Sequence, residues 1–212
     1  MLLITHGWKK DHFGGRQQYS RCLIESLNKN KYNDLEIYNI NPYIKQNLND
    51  KFFSLKTDYL SNTDISNIME IIKKNETKII FIDCSSMGVL CKKIKSFNKN
   101  IKIMIIHHHI ECVFFVKLFY ISKNIKNLFI AFKMYINEFL STKYSNKQIF
   151  FTKKDLNIAK FLFKSKNSEV LPVAQPAAGN YDTINNNFKL QKPYMLFVGG
   201  AGLLPNSIGI LW

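Results

Sequence analysis

The sequence predicts an α/β fold in which helices cover both faces of a parallel sheet. Short apolar segments alternate with longer helical patterns from the first residue onward. Two of these segments, residues 78–83 and 101–107, are rich in isoleucine, which is typical of parallel strands buried on both faces. The 212 residues suffice for one complete domain of this kind but not for two.

Strand and helix patterns follow one another in order along the chain. In the first helix Tyr19, Leu23 and Leu27 recur at four-residue spacing, which predicts a stripe that packs on the sheet. Thr152 followed by Asp155 is typical of a helix N-terminus. The predicted strands are residues 2–6, 35–40, 78–83, 101–107, 148–152 and 168–171, and the predicted helices are residues 17–28, 63–74, 87–97, 125–144 and one beginning after Thr152.

A boundary is predicted near residue 172. Residues 1–172 form the first domain, and residues 173–192 have the proline, glycine and asparagine content of a linker. Residues 193–212 contain a strand pattern, a glycine-rich loop and a helix beginning at Pro205. We expect this segment to be the first strand and loop of a truncated second domain.

The formal net charge of +15 favours anionic partners such as nucleic acid, sugar nucleotides or an acidic membrane surface. Only Arg16 and Arg21 among the thirty basic residues are arginines, and the lysines are scattered. Arginine is the usual side chain that recognises guanine edges, so nucleic-acid binding is not expected.

A cytoplasmic location is the expectation from the cysteines and the N-terminus. A strand begins at Leu2 without a basic leader, and the apolar residues 101–121 are interrupted by histidines, Glu111 and Lys117, so neither export nor a membrane span is predicted. The cysteines stand singly without metal-ligand spacing and are expected to be reduced core thiols. They are Cys22, Cys84, Cys91 and Cys112.

A glycine pair lies between the first strand and the first helix. Gly14 and Gly15 allow the backbone to approach a ligand, and the helix N-terminus that follows favours an anion such as phosphate. Arg16 could add a charge-assisted contact. An ordinary turn is the alternative, since paired glycines also form such turns.

Three consecutive histidines end the strand at residues 101–107. Imidazole with a nearby carboxylate suits proton transfer or the orientation of a sugar hydroxyl, which makes His108 and Glu111 the candidate catalytic residues. Metal binding is not expected, because adjacent side chains in an extended segment point to opposite faces. Asp83, Ser85 and Ser86 also lie at the edge where ligands bind, and helix capping is the favoured interpretation of these residues.

The region of residues 114–139 is rich in aromatic side chains. Such a region can form a hydrophobic acceptor site or a membrane surface with lysines reaching towards headgroups. Packing of core helices is the favoured interpretation.

Several of these motifs together resemble bacterial glycosyltransferases of the GT-B type, of the group 1 or family 4 kind. The matching segments are residues 14–16, 108–111, 196–199 and 205–206, and the similarity extends over most of the chain. The resemblance implies two Rossmann-like domains facing each other, the first on the acceptor side and the second on the donor side. It also implies a role in capsule, lipopolysaccharide or other surface polysaccharide biosynthesis.

By this resemblance, Gly14 and Gly15 would approach the diphosphate of the sugar nucleotide, and Gly199 and Gly200 would form the first donor-side loop. His108 and Glu111 match the His-Asn-x-Glu segment of the family and would face the sugar and the acceptor. His109 replaces the asparagine of that segment.

The resemblance implies sugar transfer from a nucleotide-sugar donor to a glycan or polyprenyl-linked acceptor, with no metal or other cofactor. Peripheral contact with the inner face of the cell membrane is a further expectation. Most of the donor domain is absent from the sequence, so we expect the chain to be inactive without a C-terminal half. The alternative is a non-catalytic remnant or interaction module. Another nucleotide-binding α/β enzyme is disfavoured because the first turn lacks the G-x-G-x-x-G pattern.

Overall fold

The computed structural model of the protein describes residues 1–6, 15–29, 34–40 and 60–172. The strands in these ranges are β1 (Leu2–His6), β2 (Glu36–Ile40), β3 (Ile79–Ile82), β4 (Lys102–His107), β5 (Lys147–Phe150) and β6 (Ser168–Val170). The helices are α1 (Gly15–Lys29), α2 (Asn62–Lys74), α3 (Gly88–Phe97), α4 (Glu111–Ser122), α5 (Lys126–Tyr144) and α6 (Lys153–Phe163).

The six strands form one parallel sheet in the order β2-β1-β3-β4-β5-β6. The predicted α/β fold class, a Rossmann-like parallel sheet with helices on both faces, is confirmed. Because all strands run in the same direction, their carboxyl ends lie at one edge of the sheet. In the strand order, β1 separates β2 from β3, which places a topological switch point between β1 and β3.

Strand β4 shows why the sheet is covered on both faces. Ile103 and Ile105 belong to the core that β1 and β3 form with α2 and α3. Met104 and Ile106 alternate with them on the opposite face, where Ile106 packs with Tyr19 of α1. Side chains alternate across a strand, so an isoleucine-rich segment supplies core residues to both faces.

Helix α6 begins with the side-chain cap that the sequence predicts at Thr152. Its hydroxyl accepts a hydrogen bond from the Asp155 amide at 3.0 Å, which satisfies one of the unpaired N–H groups of the first turn of α6. At α2, Ser61 and Asp64 form a reciprocal capping box.

Two expectations from the sequence need correction. Helix α4 was not assigned as a separate element, and the aromatic residues of segment 114–139 do not all pack in the core, since Tyr120, Phe129 and Phe132 are exposed. Among the described residues, no helix is long and apolar enough to cross a membrane. The predicted linker 173–192 and segment 193–212 lie outside the described residues.

Candidate functional site

The carboxyl edge of the sheet brings polar residues from four elements together near the switch point. Thr5 lies in β1, Ser20 lies in α1, Asp83 follows β3 and His108 follows β4. Thr5, Ser20 and Asp83 are buried. In open α/β sheets, ligands bind at this edge, next to the switch point.

Asp83 is the centre of this group. Its Oδ2 atom accepts hydrogen bonds from the hydroxyls of Thr5, at 3.1 Å, and of Ser20. Its Oδ1 atom lies 2.6 Å from Nε2 of His108. The Asp83 amide donates to the carbonyl of Ile4 at 2.9 Å, which anchors the residue to β1. A fully buried carboxylate is thus held by donors from three directions, as burial of such a charge requires.

The contact with Asp83 determines which nitrogen of the His108 ring can accept a proton. When Asp83 is ionised, its carboxylate only accepts hydrogen bonds, and Nε2 of His108 is then the atom that donates. In a neutral ring Nδ1 is then the nitrogen that can accept a proton. The side chain of His108 is 15% exposed, so it is not sealed inside the core. A histidine oriented by a buried carboxylate is the arrangement that general bases use in many enzymes.

Aromatic rings enclose the His108 imidazole on two sides. Tyr19 and Phe151 both meet it edge-on, with ring centroids 5.7 Å and 5.1 Å away. Burial raises the pKa of Tyr19 to about 12, so its hydroxyl stays protonated at neutral pH. These ring contacts restrict the orientation of the His108 imidazole.

The neighbouring histidines have different surroundings. His107 is buried and stacks on Phe150 with a centroid distance of 4.2 Å, and burial lowers its pKa to about 3. His109 is half exposed, and its Nε2 atom lies 3.1 Å from Oε2 of Glu111. The hydrogen bond to Glu111 raises the pKa of His109. The three imidazoles therefore point in separate directions, and no metal-binding cluster of His, Cys, Asp and Glu occurs among the described residues.

A second buried carboxylate lies where α4 begins. Glu138 of α5 accepts hydrogen bonds from the amides of Glu111, at 2.8 Å, and Cys112, at 3.1 Å, and from the Ser85 hydroxyl at 3.1 Å. A carboxylate at a helix N-terminus satisfies unpaired amides and complements the helix dipole. Burial raises the pKa of Glu138 to about 7. Glu138 thus connects α4, α5 and the loop after β3.

The structure distributes the predicted site residues as follows. His108 lies at the carboxyl edge as expected, but its carboxylate partner is Asp83, whereas Glu111 pairs with His109. Gly15 is the first residue of α1, and Arg16 lies in the first turn of that helix. Gly14, Gly199 and Gly200, together with the side chain of Arg16, lie outside the described residues.

The interpretation of Asp83, Ser85 and Ser86 as capping residues was wrong. Helix α3 has Met87 at its N-cap and no side-chain cap. Asp83 instead binds His108, and Ser85 donates to Glu138. The sequence signal that could have indicated Asp83 is its position directly after an apolar strand, at the edge where ligands bind.

No protein-family model and no curated protein matches the sequence.

Proposed function

We propose that this domain is part of a glycosyltransferase that uses a nucleotide-sugar donor, and that His108 is its general base. The observation that supports this proposal is the pairing of His108 with the buried Asp83 beside the topological switch point. The excess of basic residues, with a net charge of +15, is suited to attracting an anionic sugar nucleotide. The acceptor would be a glycan or a polyprenyl-linked sugar, as in surface polysaccharide biosynthesis.

The chemistry is displacement at the anomeric carbon of the donor sugar. An acceptor hydroxyl forms the new C–O bond while the bond from that carbon to the diphosphate oxygen breaks, and the nucleoside diphosphate leaves. Nδ1 of His108 takes the hydroxyl proton. Asp83 stabilises the resulting imidazolium through Nε2, as the carboxylate of a catalytic triad does. The helix N-terminus at Gly15 would stabilise the departing diphosphate.

Substitution of His108 tests this function directly. Because the chain is expected to be inactive without a C-terminal half, it is assayed together with a C-terminal donor half. The mixture is incubated with UDP-sugars or GDP-sugars and a polyprenyl-linked acceptor, and release of the nucleoside diphosphate is measured. We expect His108→Gln to lower the rate by about 10²-fold to 10⁴-fold, the usual contribution of a general base. His109→Gln is the matched control, because it removes a neighbouring imidazole that is not held by Asp83.

Two results would contradict the proposal. Full activity of the His108→Gln variant would exclude the role of this residue. Failure of the wild-type chain, assayed with the donor half, to release nucleoside diphosphate from any nucleotide-sugar would exclude the function. A rate that falls equally in the His109→Gln variant would also argue against a specific base at His108.

A further inference from the structure

Helices α4 and α5 expose an apolar surface, here called the aromatic face. Phe129, Phe132 and Tyr120 are 70%, 64% and 65% exposed. On α5 the exposed residues recur every three or four positions, so they lie on one side of that helix. The aromatic face consists of Val116, Tyr120, Ile121, Ile125, Phe129, Phe132, Tyr135 and Phe139. Contiguous exposed apolar surface of this kind marks an interaction site.

An apolar groove between the two helices continues this surface. It has a volume of about 530 Å³. Val116 and Tyr120 line it from α4, and Leu128, Phe132 and Tyr135 line it from α5. The aromatic face is therefore a surface shared by two packed helices, with a recess between them.

The charged residues along most of the aromatic face are lysines. From Cys112 to Asn137 the sequence contains four lysines and no aspartate or glutamate. These lysines are Lys117, Lys123, Lys126 and Lys133. The ammonium group of Lys123 lies 5.9 Å from the ring centre of Tyr120, so basic and aromatic side chains are intermixed.

We propose that the aromatic face binds the surface of an anionic lipid bilayer. Aromatic rings favour the boundary between headgroups and acyl chains, and lysines with long apolar stems extend towards anionic headgroups. A second copy of the chain is a poorer occupant, because a symmetric contact would bring the lysines of both copies together. The lysines therefore favour a negatively charged partner, and the exposed aromatic side chains favour one with an apolar interior.

The aromatic face begins close to the candidate site. Helix α4 starts three residues after His108, and its first amide donates to Glu138, which also accepts from Ser85 at the carboxyl edge of the sheet. Docking through α4 and α5 would hold this edge near the membrane. A lipid-linked substrate could then reach His108 without leaving the bilayer surface.

Vesicle sedimentation tests the surface without any requirement for sugar transfer, so its result is independent of the proposed enzymatic function. The wild-type chain is expected to sediment with vesicles containing phosphatidylglycerol, to be released by high salt, and to bind phosphatidylcholine vesicles weakly. Phe129→Ser with Phe132→Ser should lower the partition coefficient at least tenfold. Phe97→Ser is the matched control, because Phe97 is also exposed beside a lysine, Lys73 at 5.6 Å.

A charge variant tests the same surface independently. Lys123→Gln with Lys126→Gln should lower binding to the anionic vesicles by about 30-fold. The same substitutions at exposed Lys92 and Lys93 of α3 remove equal charge and should have a much smaller effect.

Three results would overturn the proposal. The first is equal binding of the wild-type chain to neutral and anionic vesicles. The second is binding that neither the phenylalanine variant nor the lysine variant reduces. The third is a wild-type oligomer that the Phe129→Ser, Phe132→Ser variant converts to a monomer in analytical ultracentrifugation. The last result would show that a second copy covers the aromatic face.

Discussion

At the scale of single residues, Glu138 links acidity to the stability of the fold. It is a buried carboxyl whose pKa burial raises to about 7, against an ordinary value of 4.5. Between these values the folded protein binds one more proton at this site than the unfolded chain does. Stability from Glu138 is therefore fully present below about pH 4.5 and is lost as the pH rises through 7.

Glu138→Gln should remove this pH dependence. The difference in unfolding free energy between wild type and variant is expected to change by up to about 3 kcal/mol between pH 4.5 and 7.5. Urea denaturation at a series of pH values measures it. His107 acts in the opposite direction, because burial lowers its pKa to about 3, but its contribution is present in both proteins and cancels.

The control for this measurement is Glu70→Gln, since Glu70 is an exposed glutamate of α2. Its curve should run parallel to that of the wild type. A Glu138→Gln curve that is also parallel would show that Glu138 does not titrate differently in the folded and unfolded states.

Part of the candidate site could be predicted from the sequence. The position of His108 at the carboxyl edge follows from the strand before it, because strand ends in a parallel sheet collect at one edge. Its pairing with Asp83 could not be predicted, since the partners of Asp83, which are Thr5, Ser20 and His108, lie 25 to 78 positions away from it along the chain. Local patterns indicate which edge a residue reaches, but only tertiary packing determines which side chains meet there.

At the scale of elements, the close contact between α3 and α5 depends on Gly88. A Cβ atom at this position would lie 2.0 Å from the backbone carbonyl oxygen of Asn137. The helices would have to separate, because a backbone atom cannot move aside as a flexible side chain does. Gly88 is therefore needed for close approach of the two helices.

Gly88→Ala is expected to lower the free energy of unfolding by about 1–3 kcal/mol, the usual cost of overpacking a core contact. Chemical denaturation measures the change. Ser96→Ala, at an exposed position of the same helix, is the control and should leave stability within about 0.5 kcal/mol of wild type. An unchanged midpoint for Gly88→Ala would show that α3 and α5 are not packed this closely.

The elements themselves were predictable to different degrees. Strands β3 and β4 follow from isoleucine-rich segments, and α2 follows from Ile65, Ile68 and Ile72 on one side. Helix α4 was not separated because its sequence, ECVFFVKLFYIS, is apolar on nearly all sides and has no clear helical period. The solvent-facing side of α4 is apolar because it forms part of the aromatic face. This is why its hydrophobic residues show no helical period.

At the scale of the whole molecule, the net charge of +15 makes the chain repel itself. Salt screens this repulsion over distances of about 10 Å at 0.1 M ionic strength. Added sodium chloride should therefore raise the melting temperature until the screening saturates. Lys92→Glu with Lys93→Glu lowers the net charge from +15 to +11 and should reduce that gain.

Sodium pyrophosphate at matched ionic strength separates general screening from a specific anion site. If the domain holds the diphosphate of a nucleotide-sugar, pyrophosphate binds the folded chain and adds stability in proportion to the logarithm of its concentration. The melting temperature should then keep rising with pyrophosphate after the chloride effect has levelled off. His108→Gln should leave this rise intact, because the proposed partner of His108 is the acceptor hydroxyl and not the diphosphate. Identical curves for the two salts would argue against a diphosphate site, and a melting temperature that falls with chloride would show that self-repulsion does not limit the stability of the molecule.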